Sequence, residues 1–96
     1  MEIVLLTEAK NLAKVKDILL KDPVISGASI MFKEAKILTN KEGYYCYISG
    51  IEEQGKKALE LTKDLAKVLD EKEKSEVITK IKEEESKARD AFGGLF

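Results

Sequence analysis

The chain has 96 residues, of which 44% are hydrophobic and 36% are charged, with 17 basic against 18 acidic side chains. This composition excludes a disordered chain, because enough apolar surface is present to offset the entropy of ordering. The net charge of -1 excludes a bulk electrostatic attraction to nucleic acid or to anionic lipid. The apolar runs are too short to span a membrane and the amino terminus lacks a signal-peptide pattern, so we expect a cytoplasmic protein with a single domain over residues 1–96.

The choice of residue types is narrow. Lysine supplies nearly all of the positive charge, Arg89 is the only arginine, Gln54 is the only glutamine, and histidine and tryptophan are absent. Abundant Lys and Glu with few amides is typical of hyperthermophile proteins, and Lys enrichment also follows from an AT-rich genome. A thermophilic source is therefore one of two interpretations that composition leaves open.

The amino-terminal segment predicts a strand followed by a helix. Residues 2–6 form an apolar run that suits a strand buried on both faces of a sheet. Thr7 is a candidate N-cap for a helix whose apolar stripe is Leu12, Val15 and Leu19. The helix should end at Asp22, because the residue before a proline is pushed out of helical space.

Two long strands joined by a turn are predicted next. Residues 24–39 read as one strand, bent near Lys33, and residues 40–43 carry the Asn and Gly of a tight turn. The run 43–51 is the richest in aromatic and β-branched residues and reads as the central strand, antiparallel to the one before it. Alternation puts Tyr44, Cys46 and Ile48 on one face and Tyr45, Tyr47 and Ser49 on the other, and we expect the first set to meet the helices.

The remainder of the chain predicts two helices. Ser49 and Glu52 have capping-box spacing, and the helix that follows should carry an apolar stripe to Leu69 and end near Asp70. Residues 71–75 lack a core residue, so we expect a break there and a new helix from Ser75 to Phe92, stopped by Gly93 and Gly94. Whether residues 52–92 form one helix or two is not fixed by the pattern alone.

The predicted fold class is α+β, with the order βαββα, a three-stranded antiparallel sheet and an extra C-terminal helix. Residues 1–70 would form the core, and residues 71–96 the extra helix and an apolar tail. The order resembles the ferredoxin-like arrangement without its last strand. The free edge of the first strand would then pair in a homodimer, or be covered by the last helix or the tail.

The sequence favours a non-enzymatic protein. Without histidine there is no standard catalytic triad or imidazole base, and the glycines do not form a phosphate-binding loop. Cys46, alone in a strand pattern, reads as a small core residue. The run Glu83, Glu84 and Glu85 reads as a solvated helix face, so we expect neither a metal nor a cofactor.

Tyr45 and Tyr47 form a possible exposed aromatic face. They stand two apart on the outward side of the central strand, and in this they resemble the base-stacking platform of RNA-recognition motifs. The alternative is that they pack in a dimer or under the extra helix. Nucleic-acid binding is therefore a minor expectation.

The tail offers a candidate partner-binding site at Phe92, Leu95 and Phe96. Residues 89–96 resemble a sliding-clamp interaction peptide, with an apolar residue at the fourth position and a hydrophobic pair at the seventh and eighth. Arg89 stands where that motif has glutamine, and Leu95 where it usually has an aromatic residue. The alternative is a glycine C-cap followed by a contact of the tail with its own chain or its dimer mate.

Three functional hypotheses follow. The first is a protein-interaction or accessory-subunit module, most simply a homodimer. The topology is also similar to that of the small dimerising subunit of the archaeal KEOPS tRNA-modification complex, which would make the chain a nucleic-acid-associated accessory subunit. The last is a ferredoxin-like sensing domain that holds a small molecule at the mouth between Gly27 and Gly50.

Overall fold

The computed structural model describes the backbone of residues 1–93 and the side chains of residues 1–86. No helix among these residues is long and apolar enough to cross a membrane. The strands are β1 (Glu2–Thr7), β2 (Ser29–Glu34), β3 (Tyr44–Ser49) and β4 (Ala66–Val68), and the α-helices are α1 (Leu12–Lys21), α2 (Ala35–Thr39), α3 (Glu52–Thr62) and α4 (Glu71–Gly93). Short 3-10 turns at Ala9–Asn11 and Ile25–Gly27 precede α1 and β2.

The four strands form one antiparallel sheet in the spatial order β2-β3-β1-β4. The α+β class is confirmed. The predicted three-stranded sheet is wrong, because a fourth strand, β4, pairs with β1. The paired residues are Leu5 with Val68, Leu6 with Lys67, and Thr7 with Ala66. The last strand of the ferredoxin-like order is therefore present. The edge of β1 that was expected to be open is occupied within the same chain.

The first face of the sheet packs against α1 and α3. Its buried core consists of Leu5, Val15, Leu19, Ile25, Cys46, Ile48 and Ala58. Val15 and Leu19 lie four residues apart on α1 and so share one side of that helix, as the sequence predicts. Cys46 and Ile48 come from alternate positions of β3, which confirms the predicted division of the central strand into two faces.

The second face of the sheet packs against α2 and α4. Its buried residues are Val4, Ala35, Leu38, Tyr45, Leu69, Val77 and Ile81. The helix that follows residue 70 therefore contributes to a core on this face. Val4 and Leu5 point to opposite faces, so β1 is buried on both sides, as its continuous apolar run predicts.

Three local expectations are wrong. Residues 35–39 form α2 and do not continue the preceding strand. The break between the last two helices lies at residues 63–70, where the chain forms β4. Helix α4 begins at Glu71, and the Asp70 carboxylate before it accepts a hydrogen bond from the Glu73 N–H at 2.8 Å. Thr7 does not cap α1, because it lies in β1 and donates its hydroxyl to the Leu65 carbonyl at 2.9 Å.

The turn before β3 is confirmed. Asn40 ends α2 with a φ of 60°, and Gly43 has a φ of 98°. Both residues are in the left-handed region, which Asn tolerates and Gly adopts without a Cβ penalty. The chain therefore reverses here and brings β3 back antiparallel to β2.

Candidate interaction surface

The mouth between Gly27 and Gly50 is filled by the side chain of Gln54. A Cβ on Gly27 would lie 3.1 Å from the Gln54 amide nitrogen, and one on Gly50 would lie 2.2 Å from its amide oxygen. The oxygen accepts a hydrogen bond from the Ile51 N–H at 3.0 Å, and the nitrogen donates to the Val24 carbonyl at 3.2 Å. The two glycines do come together, but a side chain of the protein occupies the space between them.

The same contact corrects the predicted capping box. Helix α3 begins after Ile51, and the Gln54 side chain at the third helical position returns to the Ile51 N–H. Ile51 has no polar side-chain atom, so only this half of a capping box is formed. Ser49 lies in β3 and does not cap the helix.

Tyr45 and Tyr47 lie under α4 and do not form an exposed aromatic face. Tyr45 is 1% exposed, and its hydroxyl lies 2.7 Å from the Thr39 hydroxyl of α2. Tyr47 is half-buried against the same core. The exposed face is therefore wrong for Tyr45, and packing under the extra helix is the arrangement observed.

The Tyr47 phenol is tied to the start of β1. Its hydroxyl donates a hydrogen bond to the Glu2 carboxylate. Burial, followed by the hydrogen bond and the negative charge of Glu2, raises the pKa of Tyr47 to about 12. The ordinary pKa of a tyrosine is near 10. The contribution of the protonated Tyr47 phenol to the stability of the folded state is therefore complete below pH 10 and is lost as pH rises towards 12.

We expect Glu2→Gln to lower the pKa of Tyr47, because it removes the charge that opposes phenolate formation and leaves burial in place. The measurement is an NMR titration of the tyrosine ring carbon next to the hydroxyl. Glu8→Gln, just beyond the other end of β1, serves as the control and should leave the pKa unchanged. A midpoint near 10 in the unaltered protein would contradict the structure.

Two of the remaining candidate groups for chemistry, Cys46 and Glu84, are occupied in packing and in an ion pair respectively. Cys46 is fully buried, and burial raises the pKa of its thiol to about 12, which keeps the thiol protonated at neutral pH. Glu84 lies 3.4 Å from the Lys33 ammonium. Among the described residues, no group of three acidic, Cys or His side chains is close enough to hold a metal ion.

The edge of β1 is closed along its length. Beyond the pairing with β4, the Leu69 N–H donates to the Val4 carbonyl at 3.0 Å. The Lys74 ammonium of α4 then donates to the Glu2 carbonyl at 3.2 Å. Pairing of two copies through β1, the predicted route to a dimer, would therefore have to displace these contacts.

Strand β2 lies at one edge of the sheet. It has one neighbour in the sheet, β3, along a continuous register from Ser29 opposite Ser49 to Glu34 opposite Tyr44. The Ala35 N–H donates to the Gly43 carbonyl at 2.9 Å. This bond identifies the residues of β2 whose backbone N–H and C=O groups point towards β3. Because these positions alternate in an antiparallel pair, Ile30, Phe32 and Glu34 direct their N–H and C=O groups away from the sheet.

Several of the usual devices that block an edge strand are missing from β2. Such strands are commonly very short, bulged, interrupted by proline or charged at the edge. This strand has six residues, contains no proline and has no bulge. Its one lysine, Lys33, is directed to Glu84 on α4.

A cation and an aromatic ring flank the same edge on the first face of the sheet. The Lys16 ammonium of α1 lies 5.2 Å from the centre of the Phe32 ring. Phe32 and Ile30 are both partly buried against the α1 and α3 core. This half of the edge is apolar with one positive charge beside it.

The predicted tail site lies outside the described residues. This applies to the side chain of Phe92 and to Leu95 and Phe96, so both the clamp-like peptide and the contact with the chain's own surface stay predictions. Comparison with protein-family models, with curated proteins and with solved structures gives no match. The β2 edge is accordingly the candidate site that geometry alone supports best.

Proposed function

We propose that this chain is a protein-interaction module that forms a homodimer by antiparallel pairing of β2 with β2 of a second copy. The observation that carries the proposal is the six-residue edge, which presents the backbone groups of Ile30, Phe32 and Glu34 without a proline or a bulge to prevent pairing. Addition of a strand at such an edge gains main-chain hydrogen bonds and continues the sheet across the interface.

The side chains favour a register centred on Phe32. In that register Ile30 of one copy faces Glu34 of the other, and Met31 faces Lys33. A register centred on Lys33 would place two lysines directly opposite each other, which destabilises an antiparallel pair. Residues that face each other across an antiparallel pair must point to the same face of the sheet. A register in which one strand slides by a single residue past the other would break this rule and is excluded.

The register centred on Phe32 also gains charge complementarity. It places Glu34 of the second copy diagonally across from Phe32, about 7 to 8 Å away and within reach of long side chains. Lys16 already lies over that Phe32 ring. The carboxylate and the ammonium would therefore meet across the interface, twice in a symmetric dimer.

Glu34→Pro tests the proposal without disturbing the protomer. Glu34 has a φ of -67° and makes no side-chain capping bond, so proline fits its backbone. Its N–H points away from β3, so the sheet loses no hydrogen bond, whereas the dimer loses one bond from each copy. We expect dimer dissociation to become at least ten-fold easier, measured by sedimentation velocity over a range of concentrations.

Glu34→Gln is the matched control. It removes the charge and keeps the N–H, so it should weaken the dimer by about two- to five-fold, in line with an exposed ion pair. A protein that remains monomeric at millimolar concentration would contradict the proposal. Equal dimerisation of Glu34→Pro and the unaltered chain would place the interface elsewhere.

A further inference from the structure

The opposite edge of the sheet carries a groove between β4 and the end of α3. The Leu69 N–H bonds to Val4, so Lys67 is the residue of β4 that faces β1. Alternation then directs the N–H and C=O groups of Ala66 and Val68 away from the sheet. Within the described part of the chain no backbone bond to another loop or turn involves the N–H of either residue.

The groove beside this edge has an apolar interior. Its volume is about 340 Å³, and its walls include Leu59 and Thr62 of α3 and Val68 of β4, with the buried Leu5 beneath. Val68 is 49% exposed although Leu5, the residue opposite it in β1, is buried. An apolar side chain added beside Val68 would cover both this residue and the apolar wall of the groove.

The charged residues that line the groove are both lysines, Lys63 and Lys67. Neither takes part in an ion pair with any of residues 1–86. Lys67 faces Leu6, which packs on the α4 side of the sheet, so its side chain lies on the face opposite to Val68. Positive charge is therefore available at the groove and on the far side of the same edge.

We propose that this groove binds an extended peptide in which apolar and acidic residues alternate. Successive side chains of a strand point to opposite faces, so an apolar side chain that enters the groove beside Val68 turns its acidic neighbours towards Lys67. The free groups of Ala66 and Val68 supply the main-chain bonds. This surface is at the far edge from β2, so the proposal goes beyond dimerisation and both sites can be occupied together.

The test is an NMR titration of the full chain with a capped hexapeptide of alternating valine and glutamate. Amide shifts should be largest at Ala66, Val68 and Lys63, and the peptide with lysine in place of glutamate should bind at least ten-fold more weakly. Reversing both groove lysines, as Lys63→Glu with Lys67→Glu, should exchange the preference between the two peptides. The same titration on the Glu34→Pro variant removes competition from the β2 edge.

Val68→Glu should abolish binding, because it places a negative charge in the groove. Leu20→Glu is the matched control, since Leu20 is an exposed leucine of α1 at 54% exposure and lies outside the groove. Shifts centred on β2, equal affinity for both peptides, or undiminished binding by Val68→Glu would each overturn the proposal. Shifts at β4 that depend on protein concentration without peptide would also overturn it, because the occupant would then be a second copy.

Discussion

Gly43→Ala is expected to lower the free energy of unfolding by about 3 kcal/mol, since a non-glycine residue in an unfavourable backbone region costs about 1 to 3 kcal/mol before any steric clash. Gly43 has a φ of 98°, and a Cβ placed on it would lie 2.5 Å from the carbonyl oxygen of Thr7. That oxygen belongs to the backbone of β1, which is buried and cannot move aside. A loss of this size corresponds to a fall of more than 10 °C in melting temperature, at about 4 to 8 °C per kcal/mol.

Gly27→Ala is the control for this prediction. Gly27 has no positive φ, and the closest atom to an added Cβ is the end of the Gln54 side chain, 3.1 Å away. A flexible side chain can shift by a few tenths of an ångström, so the effect should be small. Both variants are compared by chemical unfolding at one protein concentration, and equal losses would contradict the backbone argument.

The central part of this fold could be predicted because its signals are local. The apolar run of β1, the three-and-four spacing of Val15 and Leu19, and the turn residues Asn40 and Gly43 each act within a few residues. The division of β3 into two faces follows from the geometry of any strand. These elements form where the sequence places them.

Strand β4 could not be predicted in the same way. Ala66, Lys67 and Leu69 are good helix formers, and residues 52–70 keep a helical apolar spacing throughout. Pairing with the edge of β1 overrides this helical preference at Ala66, Lys67 and Val68. The break could have been predicted from length, because 19 helical residues span about 28 Å, whereas a six-residue strand spans about 20 Å.

The candidate surfaces depend on β4 as well. Only the full strand order shows that β1 is internal and that β2 and β4 are the edges. Without β4, the free edge falls on β1, and the groove beside Val68 does not exist. The sequence therefore predicts an open sheet edge, but it places that edge on β1, which is internal to the sheet.

Ile81→Ala is expected to lower the free energy of unfolding by about 2 to 5 kcal/mol, the range for truncating a buried isoleucine to alanine. Ile81 is 1% exposed, in the core that α4 shares with the sheet. The ion pairs between α4 and the sheet, such as the one between Lys33 and Glu84, are partly exposed and contribute little to the free energy of unfolding. Val77, Ile78 and Ile81 therefore supply most of the energy that holds the helix in place.

Thr79→Ala is the matched control, because Thr79 lies on the exposed side of the same helix turn and should change stability by less than about 0.5 kcal/mol. A second variant, Ile81→Asp, buries an unpaired carboxylate and should release α4 from the sheet. Release would expose Tyr45, Met31 and Val4, so binding of a hydrophobic dye should rise together with the loss of stability.

The outcome also decides whether the aromatic face of β3 is accessible. If Ile81→Ala costs no more than Thr79→Ala, then α4 does not hold the face closed, and Tyr45 and Tyr47 return as candidates for stacking on single-stranded RNA. If the loss is several kcal/mol, packing of Ile81 contributes strongly to the stability of the folded state, and α4 keeps this face covered. Interaction through the sheet is then confined to its two edges, β2 and β4.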